Sequence, residues 1–196
     1  MILASASASR LDLLRRAGFD PEVRVSGVAE DDLPPAADPT TVVAILARRK
    51  AEAVAAAIPA GEAALVVGCD SLLDVDGVAY GKPRTAAAAT DRWHRMRGIC
   101  GVLRTGHHLI DIATGVSAAA VGASTVHFSH PSDAEIDAYV ASGEPRGVAG
   151  GFTLAGRGGV FVDAVEGDPS NVMGLSLPLL RRLLAEVGVG VTELWS

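Results

Sequence analysis

The sequence predicts an α/β fold built on a mixed β-sheet, and three observations carry that prediction. Short apolar runs such as "ILA" (2–4) and "AALVVG" (63–68) read as buried strands. Between them lie stretches with apolar residues at helical spacing. Two turn signals, Asp76-Gly77 and Thr114-Gly115, sit inside strand-like runs and predict hairpins, which a purely parallel doubly wound sheet does not contain.

The elements follow in order. Ile2, Leu3 and Ala4 form a short strand, and Leu11, Leu14 and Ala17 recur at helical spacing. The "SASASR" between them is therefore a strand-to-helix turn, whose free N–H groups favour an anion such as phosphate. Arg10 would add a permanent forked charge. The same residues also read as a capping box, with Ser9 as cap and Asp12 three positions on. Val23 and Val25 mark a strand, and "GVAEDDLPPAADP" (27–39) an acidic, proline-rich loop. A long helix is expected from about Thr40 to Ile58, stopped by Pro59 and Gly61. "AALVVG" then runs into "LLDVDGVAYGKP" (72–83), a hairpin with a type I′ turn at Asp76-Gly77.

"TAAAATDRWHRMRG" (85–98) reads as a helix, and "HHLIDIATGVSAAAVGASTVHF" (107–128) as the second hairpin. "SDAEIDAYVASGEP" (132–145) is a helix capped by Ser132, boxed by Glu135 and stopped by Gly143. "GVFVDAV" (159–165) is a strand, and "LSLPLLRRLLAEVG" (175–188) a last amphipathic helix. No repeat of fixed period occurs, so residues 1–196 are expected to form a single domain.

With 196 residues, 49% of them hydrophobic, the chain can bury one sizeable core, with two lobes at most. A net charge of −6 argues against a nucleic-acid polymer or an anionic membrane as partner. No apolar run approaches the roughly 18 residues that span a bilayer. Met1 is not followed by a secretory leader pattern. Cys69 and Cys100 make neither a metal-ligand spacing nor a disulfide framework. A cytoplasmic protein is the expectation.

Several charges occupy unusual places. Lys50 falls four residues from both Leu46 and Val54, on the apolar stripe of its helix, where it either snorkels or binds something. Asp70 ends a buried run, at the kind of sheet edge where ligand clefts form, and also reads as a turn aspartate. The hairpin register sets Val75 opposite Val78 and carries Lys82 opposite Ser71, one residue from Asp70. Strict alternation sends Asp70 and Lys82 to opposite faces, so their meeting would need a twist or a bulge, with Gly81 as its seat. Glu30 opens an acidic run that reads first as a solvated loop. A Glu30–Asp70 carboxylate pair near Ser, Arg and Lys would also suit a hard divalent cation bridging to phosphate. The five histidines form no zinc motif, no serine sits in a G-x-S-x-G elbow, and no Walker A loop or G-x-G-x-x-G follows a strand.

The ordered set "LASASASRLDLL", "ARRKAEAV", "VVGCDSLLDVDGVAYGKP", "AEIDAYVASGEP" and "VAGGFTLAGRGGVFVDAVEGDPSNVMGLSL" resembles the Maf family of nucleotide pyrophosphatases, also called septum-formation proteins, from residue 2 to about 184. The resemblance implies an elongated mixed α/β sheet with a cleft between two lobes, of the inosine-triphosphatase-like kind. It implies hydrolysis of nucleoside triphosphates to monophosphate and pyrophosphate with Mg²⁺ or Mn²⁺, and a homodimer. By it, Ser5, Ser7 and Arg10 bind phosphate, Glu30 and Asp70 hold the metal, Asp70 is the catalytic base, and Lys50 and Lys82 stabilise phosphate charge.

Substrate choice stays open on the same resemblance. Members acting on thymidine or uridine triphosphates carry arginine at the Ser9 position, threonine at Ser71 and glutamine at Ala155. Those acting on 7-methyl-guanosine triphosphate carry tryptophan and glutamate at the Ser9 and Ala155 positions. A lysine common in the family is Val148 here. Non-standard or pyrimidine nucleotides, in a house-cleaning role, are the expectation. The alternative is a non-catalytic nucleotide-binding regulator of cell division.

Overall fold

The computed structural model describes residues 1–29, 33, 37–59 and 61–196. Strand β1 (Ile2–Leu3) turns into α1 (Ala8–Arg16), and β2 (Glu22–Val23) follows. Helix α2 (Pro39–Ala55) is capped by Asp38, whose carboxylate accepts from the N–H groups of Thr40 and Thr41. Next come β3 (Leu65–Val75), β4 (Val78–Tyr80), α3 (Ala86–Met96) and the long hairpin β5 (Cys100–Asp111) with β6 (Ser117–Phe128). After α4 (Asp133–Ala141), three short 3₁₀ turns lead to β7 (Val162–Glu166), α5 (Pro169–Val172) and α6 (Leu177–Glu186).

The seven strands form one mixed sheet in the order β2-β1-β3-β5-β6-β7, with β4 on β3. Strand β1 runs parallel to both neighbours, and the other pairs are antiparallel. Both expected hairpins form. Val75 pairs with Val78 while Asp76 and Gly77 take φ of 51° and 82°, the left-handed pair that a type I′ turn requires. The capping box of Ser132 and Glu135 forms on α4 as the sequence indicates.

Three boundaries differ from expectation. Helix α2 ends at Ala55 because Ala57 and Ile58 donate to carbonyls only three residues back, a 3₁₀-like tightening ahead of Pro59. Val25 is exposed and outside β2, since β2 pairs only with the two-residue β1 and ends with it. Within "GVFVDAV", Gly159 to Phe161 belong to a 3₁₀ turn, and pairing with β6 starts at Val162, where a register shift lies between His127 and Phe128.

One face of β3 meets two apolar environments. Leu65, Val67 and Cys69 face an apolar cluster with α1 and α6, and Leu73 and Val75 face a second with α3 and α4. These clusters occupy the same sheet face at opposite ends of β3, which is what makes the molecule two-lobed. Between them Ser71 and Thr105 interrupt the apolar surface. On the opposite face α2 lies directly against the sheet: a Cβ on Gly68 or Gly106 would clash with the carbonyl oxygens of Ala47 and Val43. Absent side chains on two adjacent strands therefore set the height of α2.

Candidate active site

A cleft of about 1100 Å³ opens where β3 changes partners. Strand β1 pairs with Val66 and Val67, and β4 with Leu73 to Val75. The edge of β3 between these pairings carries Asp70 and Ser71, both of which line the cleft. The turn of residues 5–10 closes one end and the Gly81–Lys82 segment the other. This gap lets neighbouring residues from both faces of one strand reach the same space. The β3–β4 ladder has no bulge; its last pair is Leu73 with Tyr80, and the chain then leaves the sheet. Lys82 stands exposed on the rim, and no bond joins it to Asp70 among the described residues. The bulge anticipated at Gly81 is therefore not the device that brings the two to one cavity.

Asp70 shares the α2-facing side with Gly68. Because Gly68 and Gly106 admit α2 so closely, Lys50, one turn beyond Ala47, comes down onto Asp70. Its Nζ donates to Asp70 Oδ1 at 2.6 Å, and both side chains are 11% exposed. A lysine on the apolar stripe is thus an ion-pair partner of the cleft carboxylate. Glu30, expected beside Asp70, lies outside the described residues.

The S-x-S-x-x-R turn is built around Arg10, which is 8% exposed. Its Nε donates to the Gly174 carbonyl at 2.6 Å, Nη1 to Ser5 Oγ at 3.0 Å and Nη2 to Ser71 Oγ at 3.0 Å. Ser71 Oγ lies 2.9 Å from Thr105 Oγ1, which donates to the Asn171 carbonyl. Since Thr105 uses its proton there, Ser71 donates to Thr105 and accepts from Arg10. Ser7, not Ser9, caps α1: its Oγ accepts from the Arg10 N–H. Ser5 Oγ also accepts from the Ser7 N–H. The two serines thus form the turn as well as facing the cleft, and each keeps a hydroxyl proton to donate. Ser9 and Ala155 are both exposed and line the cleft.

The polar seam continues behind the cleft. Asn171 Nδ2 donates to the Leu103 carbonyl and Ser124 Oγ, and its side chain lies where a Cβ of Gly122 would be. His107, 1% exposed, accepts from the Ser176 N–H on Nε2 and donates from Nδ1 to the Thr105 carbonyl. Burial first, and the Arg10 charge second, push its pKa down to about 4. Burial raises the Cys69 thiol to about 11, which makes it an inert core group.

Sequence reasoning passed over Glu144. Its Oε1 accepts from Tyr139 Oη, Thr153 Oγ1 and the Gly158 N–H, and Oε2 from the Arg157 N–H. Burial would raise this carboxyl, but the hydrogen bonds from Thr153, Gly158, Arg157 and Tyr139 hold it below the usual range. The carboxylate clasps the cleft wall that carries Ala155 and Gly156. The available signal was the cluster of small residues and hydroxyls in "FTLAGRGG" (152–159), which needs an acceptor.

The model for Maf-like protein matches residues 1–187 of the chain. A relative from Streptomyces coelicolor, described as nucleoside triphosphate pyrophosphatase, is 55% identical over 196 residues, covering 100% of this chain and 94% of its own. One from Nocardia farcinica with the same description is 55% identical over 203 residues, covering 100% and 96%. A crystal structure of a nucleoside-triphosphatase / dITP/XTP pyrophosphatase from Mycobacterium abscessus superposes with a TM-score of 0.39. It is 17% identical over 65% of this chain and 73% of that one.

Proposed function

The chain belongs to the Maf-like proteins, and from that premise we propose that it hydrolyses nucleoside triphosphates at the α-phosphorus to nucleoside monophosphate and pyrophosphate. The observation that carries this reading is the Lys50–Asp70 pair in a cleft whose far wall is anchored by Arg10. A cleft that only held a triphosphate would gain nothing from a carboxylate facing its ligand's charge. The full-length relatives described as nucleoside triphosphate pyrophosphatases point the same way.

In the reaction, a water oxygen bonds to the α-phosphorus while the bond to the bridging oxygen breaks and pyrophosphate leaves. Asp70 accepts the water proton. Lys50 fixes the orientation of that carboxylate through its ion pair. Arg10 presents its remaining N–H donors, and Ser5 and Ser7 their hydroxyl protons, to phosphate oxygens. The N-terminus of α1 adds the field of its unpaired N–H groups. Lys82 places an exposed positive charge at the other end of the cleft.

A divalent cation suits this chemistry. Among the described residues no group of three or more His, Cys, Asp or Glu side chains is arranged to hold a metal. Mg²⁺ or Mn²⁺ would therefore be held by Asp70, by Glu30 as the resemblance implies, and by phosphate oxygens, a division Mg²⁺ commonly adopts. Once bound, the ion supplies neutralisation of phosphate charge. The substrates are non-standard or pyrimidine nucleotides, cleared in a house-cleaning role by a cytoplasmic homodimer.

The test is to incubate the protein and its Asp70→Asn variant with Mg²⁺ and a panel of ordinary, methylated and deaminated nucleoside triphosphates, measuring pyrophosphate and orthophosphate separately. Pyrophosphate from the unaltered protein alone is the expected result. Orthophosphate as the main product would move attack to the γ-phosphorus. Tight binding without turnover by either protein would make it the regulator.

A further inference from the structure

Lys82 stands on an exposed rim, yet the backbone immediately before it is held from behind. The Gly81 carbonyl accepts two hydrogen bonds, from the Gly150 N–H at 3.1 Å and from Arg92 Nη1 at 2.5 Å. Arg92 projects from α3, and its guanidinium carbon lies 4.9 Å from the centre of the Tyr80 ring. The next residue of α3, Trp93, donates from Nε1 to the Gly151 carbonyl at 2.9 Å. Helix α3 thus ties the Gly81–Lys82 segment of the cleft wall to Gly150–Gly151, which lies between the lining residues Ala149 and Phe152. The arrangement has a local cost: Arg92 Nε is buried and has no partner among the described residues. A guanidinium held with a dry, unmatched N–H calls for a compensating role, and the groups it touches are the neighbours of Lys82.

We propose that Arg92 is a positioning residue for Lys82: by clamping the Gly81 carbonyl and stacking on Tyr80, it fixes where the Lys82 ammonium meets the phosphates. The proposal rests on the phosphate role given to Lys82 above. Arg92 does not itself touch substrate; it acts through the backbone of Gly81.

A double-mutant cycle tests this. Arg92→Met keeps the aliphatic stem against Tyr80 and Gly151 but removes the donors. In the otherwise unaltered protein it should lower kcat/KM for the best nucleoside triphosphate by about tenfold and weaken inhibition by added pyrophosphate to a similar degree. In a Lys82→Ala background the same substitution should change either quantity less than about twofold, because the group it positions is gone. Equal losses in both backgrounds, or no loss in either, would overturn the proposal while leaving the role of Lys82 intact. Unchanged kinetics for Lys82→Ala alone would overturn the phosphate role of Lys82 and this proposal with it. Should Arg92→Met fail to fold, Arg92→Lys enters the same cycle and is judged by the same non-additivity.

Discussion

Lys50 Nζ and Asp70 Oδ1 are 2.6 Å apart, each on a side chain with only 11% of its surface exposed. Two opposite charges removed this far from water depend on each other, and cutting one side leaves the other poorly solvated. Asp70→Asn should therefore lower kcat by about 10²–10⁴-fold through loss of the proton acceptor. Lys50→Met should reduce both kcat and stability, the latter by about 3 kcal/mol. Steady-state pyrophosphate release and urea unfolding of the two variants check both halves. A Lys50→Met enzyme with full activity would remove that residue from the reaction.

The height of α2 over the sheet is set by Gly68 and Gly106, since a Cβ at either would strike the helix backbone. Backbone cannot rotate aside as a side chain can. Gly68→Ala should destabilise the fold by about 1–3 kcal/mol or more. It should also depress kcat, because moving α2 withdraws Lys50 from Asp70. Gly147→Ala serves as a stability control, since a Cβ there meets nothing within 4 Å. Thermal unfolding and kinetics of the two alanine variants decide the matter.

His107 predicts an acid-sensitive stability. Its pKa is about 4 in the fold, depressed by burial and then by Arg10, against an ordinary value of 6.5. Between those values the unfolded chain binds more protons than the native one, so stability rises with pH there. It is fully present above about pH 6.5 and is lost on acidification toward pH 4, by at most about 3 kcal/mol. The half-buried His108 is pushed the same way by burial and adds to the slope. Glu144, held low, loses its contribution only in a more acidic window, below its ordinary value of 4.5. Urea unfolding at pH 7, 5.5 and 4.5 should show the decline, and His107→Gln should flatten it. An equally steep decline in that variant would assign the effect elsewhere.

Glu144 holds the wall that carries Ala155 and Gly156 by four hydrogen bonds. A glutamine there keeps the shape but replaces one acceptor oxygen with a donor facing other donors. Glu144→Gln should raise KM roughly three- to tenfold with kcat little changed, since it loosens the wall that carries Ala155 and leaves the Lys50–Asp70 pair intact. Initial-rate kinetics separate the two parameters. A loss confined to kcat would mean that the wall reaches the chemistry.

What the sequence revealed and what it hid divide along local and non-local lines. The Val75–Val78 register was legible because Asp76-Gly77 dictates its own turn, and the Ser132–Glu135 box because it closes within three residues. Lys50 was conspicuous because one charge on an apolar stripe breaks a local pattern. The cleft's location was not legible. It exists because β1 stops opposite Val67 and β4 ends opposite Leu73, and what fixes where each strand stops is tertiary pairing rather than a local signal. The alternation argument against a shared space for Asp70 and Lys82 failed for the same reason: an open sheet edge is reached from both faces. Arg92 and Glu144 drew no sequence reading, because the Gly81 carbonyl and the Arg157 and Gly158 N–H groups among their partners are backbone. Backbone donors and acceptors leave no mark on composition.

Ala155 offers the last test, because it concerns which base the cleft accepts. It is exposed, lines the cleft and lies within the segment that Glu144 clasps, so a longer side chain there points into space and not into packing. Members of the family acting on thymidine or uridine triphosphates carry glutamine at this place, by the resemblance of the surrounding residues. An amide offers both a donor and an acceptor, which matches the edge of a pyrimidine, whereas a methyl group reads nothing. Ala155→Gln should leave the unfolding midpoint essentially unchanged and raise kcat/KM for dTTP or UTP relative to GTP by about tenfold. The ratio of those specificity constants is the quantity to measure. An unchanged ratio would place base selection elsewhere on the wall, with exposed Ser9 on the rim of the same cleft as the next residue to alter.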